Sequence, residues 1–94
     1  MNALTHTVTV LNLHGLHARP ATELSRLANT FASRIDIAKG TLSVDAKSLM
    51  SLMLLAAGKG TELQLTADGE DAQQAIDAID ALFANRFGLV EETG

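Results

Sequence analysis

Polar and apolar residues alternate along Thr7-Val8-Thr9-Val10, and β-branched side chains at this period suit a strand covered on one face only. The same period returns where Ile35 and Ile37 flank Asp36, where Leu42 and Val44 flank Ser43, and where Leu63, Leu65 and Ala67 alternate with Glu62, Gln64 and Thr66. Lys39-Gly40, between the second and third of these runs, is a short Gly-containing connection of the kind that closes a hairpin. Helical spacing fills the gaps. Ala21, Leu24, Leu27, Ala28 and Phe31 recur at i, i+3, i+4, as do Ala72, Ala75, Ile76, Ile79, Leu82 and Phe83, and each set predicts one core-facing stripe. A middle helix is predicted over Ser48 to Ala57, stopped by Gly58. Its Leu49, Met50, Leu52, Met53, Leu54 and Leu55 surround the axis almost completely, so one apolar face is expected to remain exposed.

The element order β-α-β-β-α-β-α, with strands polar on one side, predicts an α+β fold. It is a two-layer open-faced sandwich, a four-stranded antiparallel sheet covered on one face by three helices. With 94 residues and no Pro- or Gly-rich break, the chain is expected to form a single domain, 1–94, with a loosely held tail from about Gly88. Hydrophobic residues make up 47% of the chain but aromatics only 3%, so the core must be Leu, Ile, Val, Met and Ala. A large aromatic-lined pocket is not expected.

Charge narrows the partners. The net charge is -4 with no run of Lys or Arg, which speaks against nucleic acid and anionic membrane and in favour of proteins. The longest apolar stretch, Leu52 to Ala57, is far too short to span a bilayer, and the first residues lack a charged start followed by an apolar run. The reading is a soluble, cytoplasmic protein. With no cysteine, disulfides, thiol nucleophiles and Cys-ligated metals are excluded.

The chemistry is concentrated in Gly15-Leu16-His17-Ala18-Arg19-Pro20-Ala21, between the first strand and the first helix. Proline is tolerated only in the first turn of a helix, so Pro20 sets the helix start at about Ala18 and puts His17 at or beside the N-cap. Backbone N–H groups there have no intrahelical partner and carry the positive end of the dipole. Arg19 adds a guanidinium whose fork matches phosphate oxygens, and Gly15 lets the chain turn sharply so that the ring stays at the surface. The result is an exposed imidazole in a phosphate-sized cradle. Neutral imidazole attacks phosphorus readily and releases it again, so a carrier needs no cofactor, no metal and no deep pocket.

These residues resemble the active-site signature of the phosphocarrier HPr family of the phosphoenolpyruvate-dependent phosphotransferase system, and Ala46-Lys47-Ser48-Leu49-Met50 resembles its second, serine-containing motif. The likeness runs over roughly residues 5 to 87. It implies that His17 accepts a phosphoryl group on Nδ1 from Enzyme I, that Arg19 steadies it, and that an EIIA-type acceptor protein receives it. The chain would then be a phosphoryl carrier with a phosphohistidine intermediate, a monomer, and not itself an enzyme. The resemblance further implies that Ser48 is the regulatory site of an HPr kinase/phosphorylase. Members of that family usually carry other residues where this chain has His14. The run Leu49 to Gly60 and the ending Leu82-Phe83-Ala84-Asn85-Arg86-Phe87 look closer to the nitrogen-related branch than to sugar-transport members.

Plainer roles compete for several of these residues. Ser48 begins a helix, where its default task is an N-cap; a phosphate would add to that role, since it also suits the helix dipole. Leu49, Met50 and Met53 could all be core, but the middle helix has more apolar positions than one sheet face covers. They are therefore expected to form a docking patch with Leu16 and Ala18 beside His17. His6 and His14 are expected to face solvent, and alternation points His6 away from the loop, which argues against a three-histidine metal site. Gln73, Gln74, Asp77 and Asp80 read as a solvated face. The alternative function is a regulatory binding module of the same fold that docks to metabolic enzymes or regulators through Leu49, Met50 and Met53. A free-standing phosphatase or kinase lacks a nucleotide or metal site.

Overall fold

The computed structural model describes residues 3–88. The alternating segments become β1 (Ala3–Thr9), β2 (Arg34–Lys39), β3 (Leu42–Asp45) and β4 (Glu62–Asp68); the helical ones become α1 (Ala18–Ala28), α2 (Leu49–Leu54) and α3 (Ala72–Ala84). The strands form one sheet in the order β1-β4-β2-β3, antiparallel at every pairing. Period-2 alternation fixes the register. Val8 faces Leu63, Leu65 faces Ile37, and Ile37 faces Val44, all inward, while Thr5, Thr66, Asp36 and Asp45 line up across the other face. The sheet is therefore apolar on the helix side and polar on the other, as the α+β open-faced sandwich requires. Gly40, at φ 59°, opens the two-residue turn of the hairpin between Lys39 and Leu42.

The helices bury the stripes that their spacing predicts. Pro20, Ala21, Leu24 and Ala28 of α1 and Ala72, Ala75, Ile76, Ile79 and Phe83 of α3 are all buried, and Gln73, Gln74, Asp77 and Asp80 are exposed. Four features differ from the sequence-based expectation. β1 starts at Ala3 rather than Thr7, because β4 offers a pairing partner for each residue as far as Asp68. Phe31 lies beyond α1, half-buried against the core. The described residues end on a 3-10 turn, Arg86–Gly88, that buries Phe87 edge-to-face on Phe83 at 4.8 Å. The expected loose tail lies, from residue 89 on, outside the described residues.

The fourth difference is in α2, which ends at Leu54 with Leu55 as its cap, well short of Gly58. Ala56, at φ 48°, has already left the helix. The cause is tertiary. Lys39 of β2 donates from Nζ to the carbonyls of Leu55 at 3.0 Å and Ala56 at 3.4 Å, a cation at the helix's negative end. The chain then turns so that the Ala57 carbonyl accepts the Leu16 N–H at 2.8 Å. Gly60 and Thr61 extend this junction by bonding to Val10.

Two polar ties hold the remaining loops. The Lys47 carbonyl, just before α2, accepts from Ser25 Oγ and from Asn29 Nδ2 of the α1 face, each at 3.0 Å, while Lys47 Nζ donates to the Phe31 carbonyl at 2.8 Å. Asp71, at the head of α3, does not cap its own helix. Its carboxylate accepts from the N–H groups of Ala32 and Ser33 and from Ser33 Oγ. The Ser33 hydroxyl and then the Ala32 N–H hold the Asp71 carboxyl below the ordinary carboxylate range.

Gly15 and Asp71 give two tests of these ties. Gly15 sits at φ 70°, and a Cβ there would lie 2.5 Å from the Ala57 oxygen and 2.9 Å from Gly58 Cα. Gly15→Ala should therefore lose about 2 kcal/mol in urea unfolding, from the left-handed backbone and the collision together. Because folding depresses the Asp71 pKa, its contribution is complete above the unfolded value of about 3.9 and fades as pH falls through the lower folded value. Stability of the wild type should fall across that acid window, and Asp71→Asn should be less stable at neutral pH with a flatter acid limb.

Candidate functional site

The junction just described aims the chemistry. Asn12 is fully buried, donates from Nδ2 to the Gly15 carbonyl at 2.5 Å and accepts the Gly15 N–H on its own carbonyl at 3.2 Å. The turn is thus closed on itself before Gly15 and Leu16 lie down on Ala57. The next residue, His17, is the N-cap of α1 with extended backbone, φ -83° and ψ -170°, and its ring stands in solvent.

The Ala21 N–H is the first in α1 to be satisfied, by the His17 carbonyl at 2.9 Å. Pro20 has no N–H, so the orphan donors at this helix end are those of His17, Ala18 and Arg19. The His17 side chain makes no capping bond, which leaves both the imidazole and the helix end available to a ligand. Arg19 is exposed on the first turn. Among the described residues the ion pairs are His6–Asp80, Arg26–Glu23 and Arg34–Asp36, so the guanidinium of Arg19 is not committed to a carboxylate.

The His17 ring opens onto a shallow depression of about 310 Å³ lined by His14, Leu16, His17, Met53, Ala56, Ala57 and Gly58. Among the described residues no carboxylate lines this depression. Residues 11–22 and 46–61 contain His14, His17, Arg19, Lys47 and Lys59 and no carboxylate at all, although the chain carries 11 acidic residues. An anion at the head of α1 meets the helix dipole and the Arg19 guanidinium, and no carboxylate of these two segments competes for it. Among the described residues no group of three or more His, Cys, Asp or Glu is placed to hold a metal ion.

Most of the residues expected to form a docking patch are exposed. Leu49, Met50 and Met53 are exposed, Met50 to 80%, and Ala18 stands at the surface beside His17. Leu54, 70% exposed, belongs to the same face and was signalled only by the excess of apolar positions in this segment. Leu16 is a correction. It is buried at 4%, because its N–H bond to Ala57 draws its side chain into the core, and it forms the floor of the depression rather than part of an exposed patch. Ser48 caps α2, its Oγ accepting the Ser51 N–H at 3.2 Å. Met53 links the two regions, sharing the depression with His17. Sequence reasoning missed Asn12 and the 56–58 segment. The Asn-x-x-Gly spacing was the available sign for the first, whereas nothing local marks Ala56 for a left-handed backbone.

The sequence and the fold are similar to those of known proteins. The family model described as "PTS HPr component phosphorylation site" matches residues 4–85. The chain is 47% identical over 85 residues to the phosphocarrier protein HPr of Cupriavidus necator, covering 90% of this chain and 96% of that one. It is 41% identical to the phosphocarrier protein NPr of Shewanella violacea over 87 residues, 93% of this chain and 96% of that one. The crystal structure of HPr from Thermoanaerobacter tengcongensis superposes with a TM-score of 0.87 at 36% identity, covering 97% of this chain and all of that one. Fold, signature and overall likeness agree, and the chain belongs to the HPr family of phosphocarrier proteins of the phosphotransferase system.

Proposed function

We propose that this chain accepts a phosphoryl group on His17 from phospho-Enzyme I and passes it to an EIIA-type acceptor protein, working as a cytoplasmic monomer. The observation that carries this reading is the exposed, uncapped imidazole of His17 set against the orphan N–H groups of α1. In the first transfer the lone pair of a neutral ring nitrogen, Nδ1, forms the new N–P bond as the donor's bond to phosphorus breaks. The proton stays on the other ring nitrogen. The phosphoryl oxygens settle on the N–H groups of Ala18 and Arg19 and the guanidinium of Arg19, which offset their charge. In the second transfer the acceptor's nucleophile takes the phosphorus and the imidazole leaves neutral. Little covalent work falls to the carrier, because the partner's site supplies the remaining stabilisation. No helix among the described residues is long and apolar enough to cross a membrane.

Ala18, Leu49, Met50 and Met53 are the apolar part of the surface on which both partners dock, and Arg19, exposed beside Ala18, suits an acidic partner surface. Ser48 lies at the head of that surface as the target of an HPr kinase/phosphorylase. A phosphate there brings close to two negative charges beside groups that must be desolvated on docking.

His17→Ala should fold normally and take no phosphoryl group from phosphoenolpyruvate and Enzyme I, and the wild-type product should be acid-labile and base-stable. A phosphorylated, folded His17→Ala protein, or a base-labile product, would overturn the assignment.

Ser48 is tested by charge with the cap retained, since Asp also caps helices well. Phosphorylation of Ser48 should weaken docking by about 1.4 to 4 kcal/mol, slowing transfer to His17 roughly ten- to a thousand-fold at limiting Enzyme I. Ser48→Asp should lose less in the same direction. Ser48→Ala, which removes the bond to Ser51, should cost about 1 kcal/mol of stability and leave transfer near wild type. Equal rates for Ser48→Asp and wild type at every Enzyme I concentration would leave Ser48 a helix cap only.

A further inference from the structure

His14 stands three residues before His17 on the turn that Gly15 closes. Its ring lies at 76° to that of His17, with centroids 6.1 Å apart. Both side chains are exposed and both line the depression at the head of α1. Among the described residues neither ring has a hydrogen-bond partner, in contrast to His6, which is held on Asp80 at 3.0 Å. A phosphoryl group on a ring nitrogen of His17 carries its oxygens about 4 Å from that ring's centre, and a hydrogen bond spans about 2.8 Å more. The ring of His14 is within that reach.

The electrostatic setting gives the contact a sign. His14 is surrounded by its own loop, the first turn of α1, α2 and the 55–61 segment. Among the described residues the titratable or charged groups these segments carry are His17, Arg19 and Lys59, with Lys47 held on the Phe31 carbonyl beyond the other end of α1 and Lys39 of β2 held on the Leu55 and Ala56 carbonyls. None is a carboxylate. Among the described residues, a positive charge on His14 therefore meets no carboxylate from these segments until a phosphoryl group arrives with close to two negative charges.

We propose that His14 is a second phosphate-holding residue, its imidazolium donating a hydrogen bond to an oxygen of the phosphoryl group on His17. The proposal rests on the carrier reading above and deepens it by making the stability of the phosphorylated state depend on pH. Arg19 stays charged at every working pH, whereas an imidazole changes charge between about pH 5 and 8. Linkage makes the effect reciprocal: phosphorylation favours the proton on His14, and that proton favours the phosphoryl group on His17 to the same degree. The phosphorylated form gains on the acid side of the range.

The test uses the full chain, charged with phosphoenolpyruvate and Enzyme I, as wild type, His14→Gln and His14→Leu. Nitrogen NMR of the histidine rings, followed against pH, should show the proton affinity of His14 rising roughly three- to ten-fold when His17 is phosphorylated. The partition of the phosphoryl group between Enzyme I and the carrier, taken relative to His14→Gln, should shift toward the carrier by the same factor from alkaline to acid pH. Gln keeps a neutral donor and loses the charge, so it should retain part of the advantage over His14→Leu with no pH dependence of that advantage. An unchanged His14 titration in the phosphorylated protein, or identical pH dependence in wild type and His14→Gln, would remove His14 from the site and leave the carrier reading standing. Absence of any phosphohistidine in the wild type would overturn both.

Discussion

The N–H of Leu16 bonded to the Ala57 carbonyl, with Gly15 lying flush on the same peptide, joins the loop before α1 to the loop after α2. A side chain on residue 15 would separate the two, and a longer α2 would carry Ala57 out of reach. Three features follow from this one contact. Leu16 is drawn into the core, His17 is delivered to the first position of α1 with its ring outward, and Met53 and the 56–58 segment form the opposite wall of the depression. The short α2 is a consequence of the site's geometry, with Lys39 satisfying carbonyls where the helix gives way.

The sheet supplies the rigid reference for this junction. Its inner face is a continuous apolar row, so β1 and β4 cannot slip by one residue without turning Val8 and Leu63 to solvent. Val10 continues from β1 into bonds with Gly60 and Thr61, which fixes the two loops at one end of the sheet. On the far side of α1, Ser25 and Asn29 hold the Lys47 carbonyl, so that the exposed apolar face of α2 is presented at a set distance from the head of α1. The exposed apolar face of α2 and the His17 ring are thus parts of one frame.

Charge is distributed to match. Among the described residues the acidic side chains lie on the outer sheet face, on α3, in the loops around Gly69 and at Glu23 within α1, and residues 11–22 and 46–61 contain none. Among the described residues an overall negative protein therefore presents a carboxylate-poor end, and this contrast favours an anionic group there without a cluster of basic residues. Net charge alone hides the contrast.

What the sequence determined by itself was whatever depends on period and on single-residue chemistry. Alternation at 8–10, 35–37, 42–44 and 63–67 was enough for the strands, helical spacing for α1 and α3, and Pro20 for the start of α1 at Ala18, because a missing N–H has only one place in a helix. The same residues pointed to His17 and Arg19, and the surplus of apolar positions in α2 to an exposed face. Tertiary structure alone decided the end of α2, the burial of Leu16 and Phe87, the support from Asn12, and the pairing of His14 with His17. Each of those is settled by a contact between segments distant in sequence or by a backbone angle that no local pattern requires, as where Ala56 turns left-handed so that Ala57 can meet Leu16.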